Sequence, residues 1–184
     1  EQEFIPGYDL VRYLERNTKT IARYAEKAKK DASHTFIDPT GFVENLGVMV
    51  KKKEIEAANP DLIIVLERRS ELEPILKGLE YPLLKLPVLE EVKKRAETTR
   101  RKNRNERFKL YFRDSITQEV QAKAPSEWRN RVVALYSSSK LLGLGVVKNK
   151  EDDRLFIVTP VKSKPERVEF GHIRLDPELG EIRE

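Results

Sequence analysis

The 184 residues include no cysteine, which excludes disulfides and thiolate metal sites. Histidine occurs only as His34 and His172, far apart in the chain. A zinc site would have to recruit distant carboxylates, and no spacing marks one. None of the eight glycines is followed by lysine. The cradle Gly-x-x-x-x-Gly-Lys, whose backbone N–H groups wrap nucleotide phosphates, is therefore not visible. No apolar run approaches the roughly 20 residues that a membrane-spanning helix needs. Glu1 to Gly7 has neither the basic start nor the apolar stretch of a secretion signal, so a cytoplasmic protein is expected. One Met, no Cys and abundant Glu, Lys and Arg give the chain a thermophile-like composition.

What is abundant is charge. Charged residues make up 36% of the chain and apolar residues 39%, and the formal net charge is +5. The charge is unevenly placed. From Glu91 to Arg113 there are ten Lys or Arg against three Glu, a net +7 that leaves a net −2 on the rest. A basic segment on a near-neutral body suits a local polyanion, either nucleic acid or nucleotide phosphate.

Apolar spacing predicts a helix over residues 10–30 through Leu10, Tyr13, Leu14, Ile21, Tyr24, Ala25 and Ala28. Thr35-Phe36-Ile37 reads as a short strand ending in Asp38, followed by a turn. Residues 50–58 read as a helix stopped by Asn59-Pro60. Leu62 to Leu66 is a continuous apolar run, as in a parallel strand buried on both faces. Ser70-Glu71-Leu72-Glu73 has capping-box spacing and opens a helix to about Lys77. Leu83 to Leu86 is a weaker strand. This alternation predicts an α/β layer on a parallel sheet.

Val88 to Ala124 contains neither Gly nor Pro, which predicts one long helix over about 89–112. Its middle, Glu97 to Arg107, has no apolar residue and cannot pack into a core. Leu89 and Val92 at one end and Phe108, Tyr111 and Phe112 at the other are expected to anchor it as a bridge or lid. After Pro125 come short strand-like segments at 131–137, 141–147, 154–159 and 172–175, which suggest a meander or small barrel. The expected division is 1–124 for the α/β part with its helix and 125–184 for a small β-domain.

Two sets of residues could carry chemistry. Asp38 at the end of a parallel strand is placed where α/β sheets bind ligands, and an acid there can hold magnesium during phosphoryl transfer. The alternative is a plain type I turn, since Asp-Pro-Thr-Gly suits its four positions. Arg100, Arg104 and Arg107 are spaced i, i+4 and i+7 and share a helical face. Their guanidinium forks suit phosphate oxygens. The alternative is a solvated charged helix laced by pairs such as Glu97 with Arg101. Arg68, after the strand of 62–66, lies where it could touch a ligand or pair with nearby acids. Lys51-Lys52-Lys53 reads as a solvated helix start, and Trp128 as a packing anchor between the two parts.

Taken together, three stretches resemble the P-loop polynucleotide 5′-hydroxyl kinases. That family includes the kinase subunit of the eukaryotic pre-mRNA cleavage complex and its archaeal relatives. The first stretch is Phe36-Ile37-Asp38-Pro39-Thr40-Gly41-Phe42-Val43, similar to the family's Asp-Thr-Thr/Ser-Gly-Trp/Phe segment. Lys53-Glu54-Ile55-Glu56, Pro60-Asp61-Leu62-Ile63 and Glu71 to Leu76 follow at the family's distances. The second is Arg95 to Phe112, similar to an arginine-rich lid that ends in Phe-x-x-Tyr-Phe. The third comprises Arg131 to Leu135, Leu142 to Gly145, Thr159-Pro160 and Gly171 to Leu175, similar to the family's C-terminal β-domain.

The resemblance implies part of a parallel-sheet P-loop kinase domain with a lid helix, followed by a small C-terminal β-domain. It implies transfer of the γ-phosphate of ATP or GTP, with magnesium, to a 5′-hydroxyl of RNA or DNA. It implies that Thr40, Gly41 and Phe42 position the nucleic acid and that Arg100 and Arg104 clamp phosphates. From their places at strand ends and on the arginine face, Asp38 is expected to hold the metal, Arg68 to touch the nucleotide and Arg107 to meet the nucleic acid. Pro39 departs from the family pattern by removing a hydroxyl and a backbone donor. The family's phosphate loop and activating acid lie upstream of anything matching residues 1–184, so a missing N-terminal half, in the same or another chain, is expected as a partner. The second reading is a non-catalytic nucleic-acid-binding or scaffold subunit in RNA processing.

Overall fold

The computed structural model describes residues 2–7, 9–92, 96–176 and 178–182. The chain divides into two compact units, Asp9–Lys94 and Glu1–Tyr8 with Arg95–Glu184. The sequence places the change in character at residue 125. The compact units divide thirty residues earlier, because the basic helix packs on the antiparallel sheet and the strand after it joins that sheet.

In the first unit, helix α1 spans Leu14–Asp31 and α2 spans Leu46–Ala58. Leu14, Asn17, Ile21, Ala25 and Ala28 are buried or half-buried, while Glu15, Lys19, Glu26 and Lys30 are exposed. That is the stripe a 3.6-residue period produces. Strand β1 (Ile63–Glu67) and strand β2 (Leu83–Pro87) flank the four-residue helix α3 (Glu73–Leu76) and pair in parallel, Ile63 with Leu83 through Glu67 with Pro87. Pro74 fits the first turn of α3, where no N–H is required. The predicted capping box does not form. The Glu71 carboxylate instead accepts the amides of Arg68 at 3.1 Å and Arg69 at 2.7 Å. The Glu71 amide itself, and then these two bonds, hold its pKa below the usual carboxylate value.

Two expectations for this unit are corrected. Residues 34–40 form no strand, and Phe36 is 86% exposed. The run 62–66 is not buried on both faces: Val65 is 2% exposed, but Leu66 is 59% exposed, and Leu62 and Ile64 are exposed too. In β2, Leu83, Leu84 and Leu86 are also exposed. The cause is the same in each case. Among the described residues the parallel sheet has two strands, so nothing pairs with Phe36-Ile37 and nothing covers the outer face.

In the second unit, helix α4 spans Glu97–Tyr111. Six antiparallel strands follow: β3 (Ile116–Gln121), β4 (Arg131–Ser137), β5 (Lys140–Glu151), β6 (Arg154–Thr159), β7 (Arg167–Leu175) and β8 (Glu181–Ile182). Their spatial order is β3-β6-β5-β4-β7-β8. The sheet is thus an open meander of β4, β5 and β6 with β7 crossing back beside β4, and it does not close into a barrel among the described residues. Strand β4 lies in the middle and is buried on both faces. Val133 and Leu135 pack with Val120, Val147, Leu155 and Ile157. Val132 packs with Phe112, Val146 and Leu175 on the other face, where Ala134 and Tyr136 meet Phe4. Each such aliphatic side chain contributes about 1.5–3 kcal/mol. Trp128 packs against the first of these clusters.

Candidate functional site

The residues singled out from sequence fall into two sets, one in each unit. The first is the segment Asp38–Phe42, which leads into α2. Asp38, Pro39, Thr40 and Gly41 are exposed, and Phe42 is an exposed aromatic. No backbone hydrogen bond joins Asp38 to Gly41 among the described residues, so any turn at Asp-Pro-Thr-Gly is an open one. A Cβ at Gly41 would meet nothing within 4 Å. The segment therefore presents a carboxylate, a hydroxyl and an aromatic face to solvent from an open backbone.

Beneath it lies a polar pair that the sequence reading missed. Lys51 and Glu54 on α2 are both buried, and Lys51 Nζ donates to Glu54 Oε2 at 2.5 Å. Asn17 Nδ2 of α1 donates to Glu54 Oε1 at 2.9 Å. Lys51 Nζ also reaches Thr40 Oγ1 at 3.5 Å, the outer limit for such a bond. A buried ammonium survives only when paired and hydrogen-bonded, and here the carboxylate one turn on supplies the pairing. The triple lysine is thus not a solvated helix start. Helix α2 begins five residues earlier, at Leu46, and turns Lys51 inward, while Lys52 donates to the Lys77 carbonyl and Lys53 pairs with Glu56. The i, i+3 spacing of Lys51 and Glu54 was legible, but their burial was not.

Arg68 follows β1, as expected, and is exposed. Its guanidinium donates to the Val92 carbonyl. That bond uses one of its five N–H donors and leaves the others for a further acceptor.

The second set lies on α4. The predicted helix over 89–112 begins only at Glu97. Leu89 and Val92 are exposed and precede the helix, and Lys93 to Arg95, including the start of the lid resemblance, lie outside the described residues. The C-terminal end is seated as expected. Phe108 and Phe112, one turn apart, pack against Val132, Val146 and Leu175. The Leu144 amide donates to the Tyr111 hydroxyl at 2.7 Å. Gly143 is required there, because a Cβ would come within 2.6 Å of that hydroxyl.

The middle of α4 is held by polar bonds to β8. Arg104 donates from Nε at 3.2 Å and Nη2 at 3.0 Å to Glu181 Oε2. Arg101 Nη2 donates to the Glu181 carbonyl at 3.3 Å, and the Glu181 amide donates to Asn105 Oδ1 at 3.2 Å. Glu181 stands near the chain end without a spacing signal, so sequence alone gave no route to it. Arg100 and Arg107 share the face of Arg104 and are exposed. Neither has an ion-pair partner among the described residues. The three arginines therefore differ: Arg104 is engaged, while Arg100 and Arg107 are open to an anion.

No group of three or more His, Cys, Asp or Glu side chains that could hold a metal ion occurs among the described residues. Nor does any helix there have the length and apolarity to cross a membrane.

Comparison with known proteins places both sets within one match. Residues 7–114, more than half of the chain, match the family described as mRNA cleavage and polyadenylation factor CLP1 P-loop. Over 95 residues the chain is 44% identical to a polyribonucleotide 5′-hydroxyl-kinase of Pyrococcus horikoshii, covering 52% of this chain and 26% of that protein. It is 40% identical over 93 residues to the Pyrococcus furiosus protein of the same description, covering 50% and 26%. To that of Methanocaldococcus jannaschii it is 37% identical over 100 residues, covering 53% and 27%. The matched stretch thus spans about a quarter of the length of these relatives. On the extent of the family match, the chain belongs to the mRNA cleavage and polyadenylation factor CLP1 P-loop family.

Proposed function

We propose that this chain forms the substrate-loop and lid portion of a polynucleotide 5′-hydroxyl kinase, one that moves the γ-phosphate of ATP or GTP to a 5′-hydroxyl of RNA or DNA. One observation carries the reading. The open segment 38–42 and the unpaired arginines of α4 all fall inside the family match, and the relatives that match about half of the chain are named polyribonucleotide 5′-hydroxyl-kinases. Phe42 offers a face on which a terminal base stacks, and Thr40 a hydroxyl for the sugar or phosphate. Arg100 neutralises charge that develops on the transferred group, Arg104 joins it by exchanging Glu181 for phosphate, and Arg107 holds the polynucleotide backbone.

The residues present fit one side of the nucleotide site only. Asp38 suits magnesium, which commonly takes one or two carboxylates and completes its shell with phosphates and water. When bound, the metal would screen the phosphate charge. A phosphate cradle has no residues here, since no glycine precedes a lysine. The two-stranded parallel sheet with an apolar outer face supports a further α/β segment that covers it and carries the cradle. That segment, in the same or another polypeptide, is the first partner; the second is the nucleic acid.

The test is γ-phosphate transfer to a 5′-hydroxyl oligoribonucleotide by the full-length protein carrying a phosphate loop. Arg100→Ala should lower kcat by about a hundredfold, the scale for removal of one charge-stabilising donor. An unchanged rate would remove Arg100 from the chemistry. The second reading, a binding subunit without catalysis, draws on Pro39 and the absent cradle. It predicts oligoribonucleotide binding that weakens steeply with salt and transfer by no form of the protein.

A further inference from the structure

Helix α2 carries two residues one turn apart that both face the segment 38–42. Gly47 is buried, and a Cβ there would stand 2.7 Å from the Phe42 carbonyl oxygen and 3.2 Å from its ring. The first of these distances is too short for any side chain, and the obstructing atom is backbone, so the segment itself would have to move. Four residues on, Lys51 reaches Thr40 Oγ1 and is fixed by Glu54, which Asn17 fixes in turn. One position sets the approach of Phe42 and the other that of Thr40. Lys51 is buried and already neutralised by Glu54, so it is not a free phosphate ligand.

We infer that Gly47 and Lys51 are positioning residues: the i, i+4 face of α2 seats Phe42 and Thr40 in the arrangement that receives the 5′ end of a polynucleotide. The inference rests on the substrate role proposed above for that segment. Alanine is the best helix former and glycine among the worst, so Gly47→Ala should leave α2 intact while displacing Phe42.

The experiment uses the 184-residue chain labelled with ¹⁵N and a 5′-hydroxyl oligoribonucleotide of about ten nucleotides. Free-protein spectra report the segment, and titration reports affinity. Gly47→Ala and Lys51→Met should each move the amide signals of Thr40, Gly41 and Phe42 and weaken oligonucleotide binding about tenfold, with the helical circular-dichroism signal of Gly47→Ala retained. Lys51→Arg, which keeps the charge, should recover part of the affinity. In a Phe42→Ala background, Gly47→Ala should weaken binding no further, because the group it displaces is gone. Unmoved Thr40, Gly41 and Phe42 signals in both variants would overturn the positioning role. Moved signals with unchanged affinity would overturn the link to substrate. A wild-type chain that binds no oligonucleotide while the variant signals move would instead count against the proposed substrate role of the segment, and with it the inference as stated.

Discussion

Removing the Glu181 carboxylate tests how α4 is held. The Arg104 side chain is 32% exposed and that of Glu181 9%. Exposed ion pairs contribute about 0.2–1 kcal/mol, and breaking a fully buried pair costs about 3–5 kcal/mol. This pair lies between those limits, so its coupling should be about 1–2 kcal/mol. Glu181→Ala is a clean perturbation, because the bonds from Arg101 and to Asn105 use the Glu181 backbone and survive it. Arg104→Ala should cost more than Glu181→Ala, since it leaves the more buried charge unpaired. Trp128, the single tryptophan, packs on the core of the same unit. Its fluorescence in urea therefore reports the unfolding of that unit. A double-mutant cycle over Arg104 and Glu181 should return the coupling energy directly. A value under about 0.3 kcal/mol, within the usual range of additivity, would refute the claim that this pair pins the helix.

Further outcomes follow from other parts of the molecule. Asn45, just before α2, holds φ 52° and ψ −118°, a conformation costly for any residue with a Cβ; Asn45→Gly should raise stability by about 1 kcal/mol in urea unfolding. Glu166 accepts bonds from the Ser137 hydroxyl first and then the Ser138 amide, which hold its pKa below 4.5. The stability it contributes is full above pH 4.5 and is lost as pH falls through the lower folded value, so Glu166→Gln should flatten the acid side of a melting-temperature profile. Leu66 is exposed on the uncovered sheet; Leu66→Glu should leave stability in urea unfolding unchanged within about 0.5 kcal/mol, because it removes no buried contact.

Most of the elements were legible, and for physical reasons. The 3.6-residue stripe of α1 and the apolar runs of β1 and β4 are local patterns that tertiary context did not override. Strand β3 was missed because Ile116 to Gln121 lies in a stretch without Gly or Pro and reads as the continuation of a helix. The strand expected at 35–37 failed for the opposite reason: its pattern is right, but a strand needs a partner, and none of the described residues supplies one. At the candidate sites, the arginine face and the segment 38–42 were visible as residue types at spacings. What fixes them was not. Glu181, Asn105, Glu54 and Asn17 act through burial and distant pairing, and Gly47 acts through the absence of a Cβ.

In the function proposed above, these residues serve phosphoryl transfer to a polynucleotide only together with a phosphate cradle from outside residues 1–184. The most direct measurement is transfer of radiolabelled γ-phosphate to a 5′-hydroxyl oligoribonucleotide, with the full-length native protein and the 184-residue chain assayed side by side. Transfer is expected from a protein that carries the cradle, and none above background from the 184-residue chain alone. Transfer by the chain alone, or none by a full-length protein that carries the cradle, would contradict the proposal.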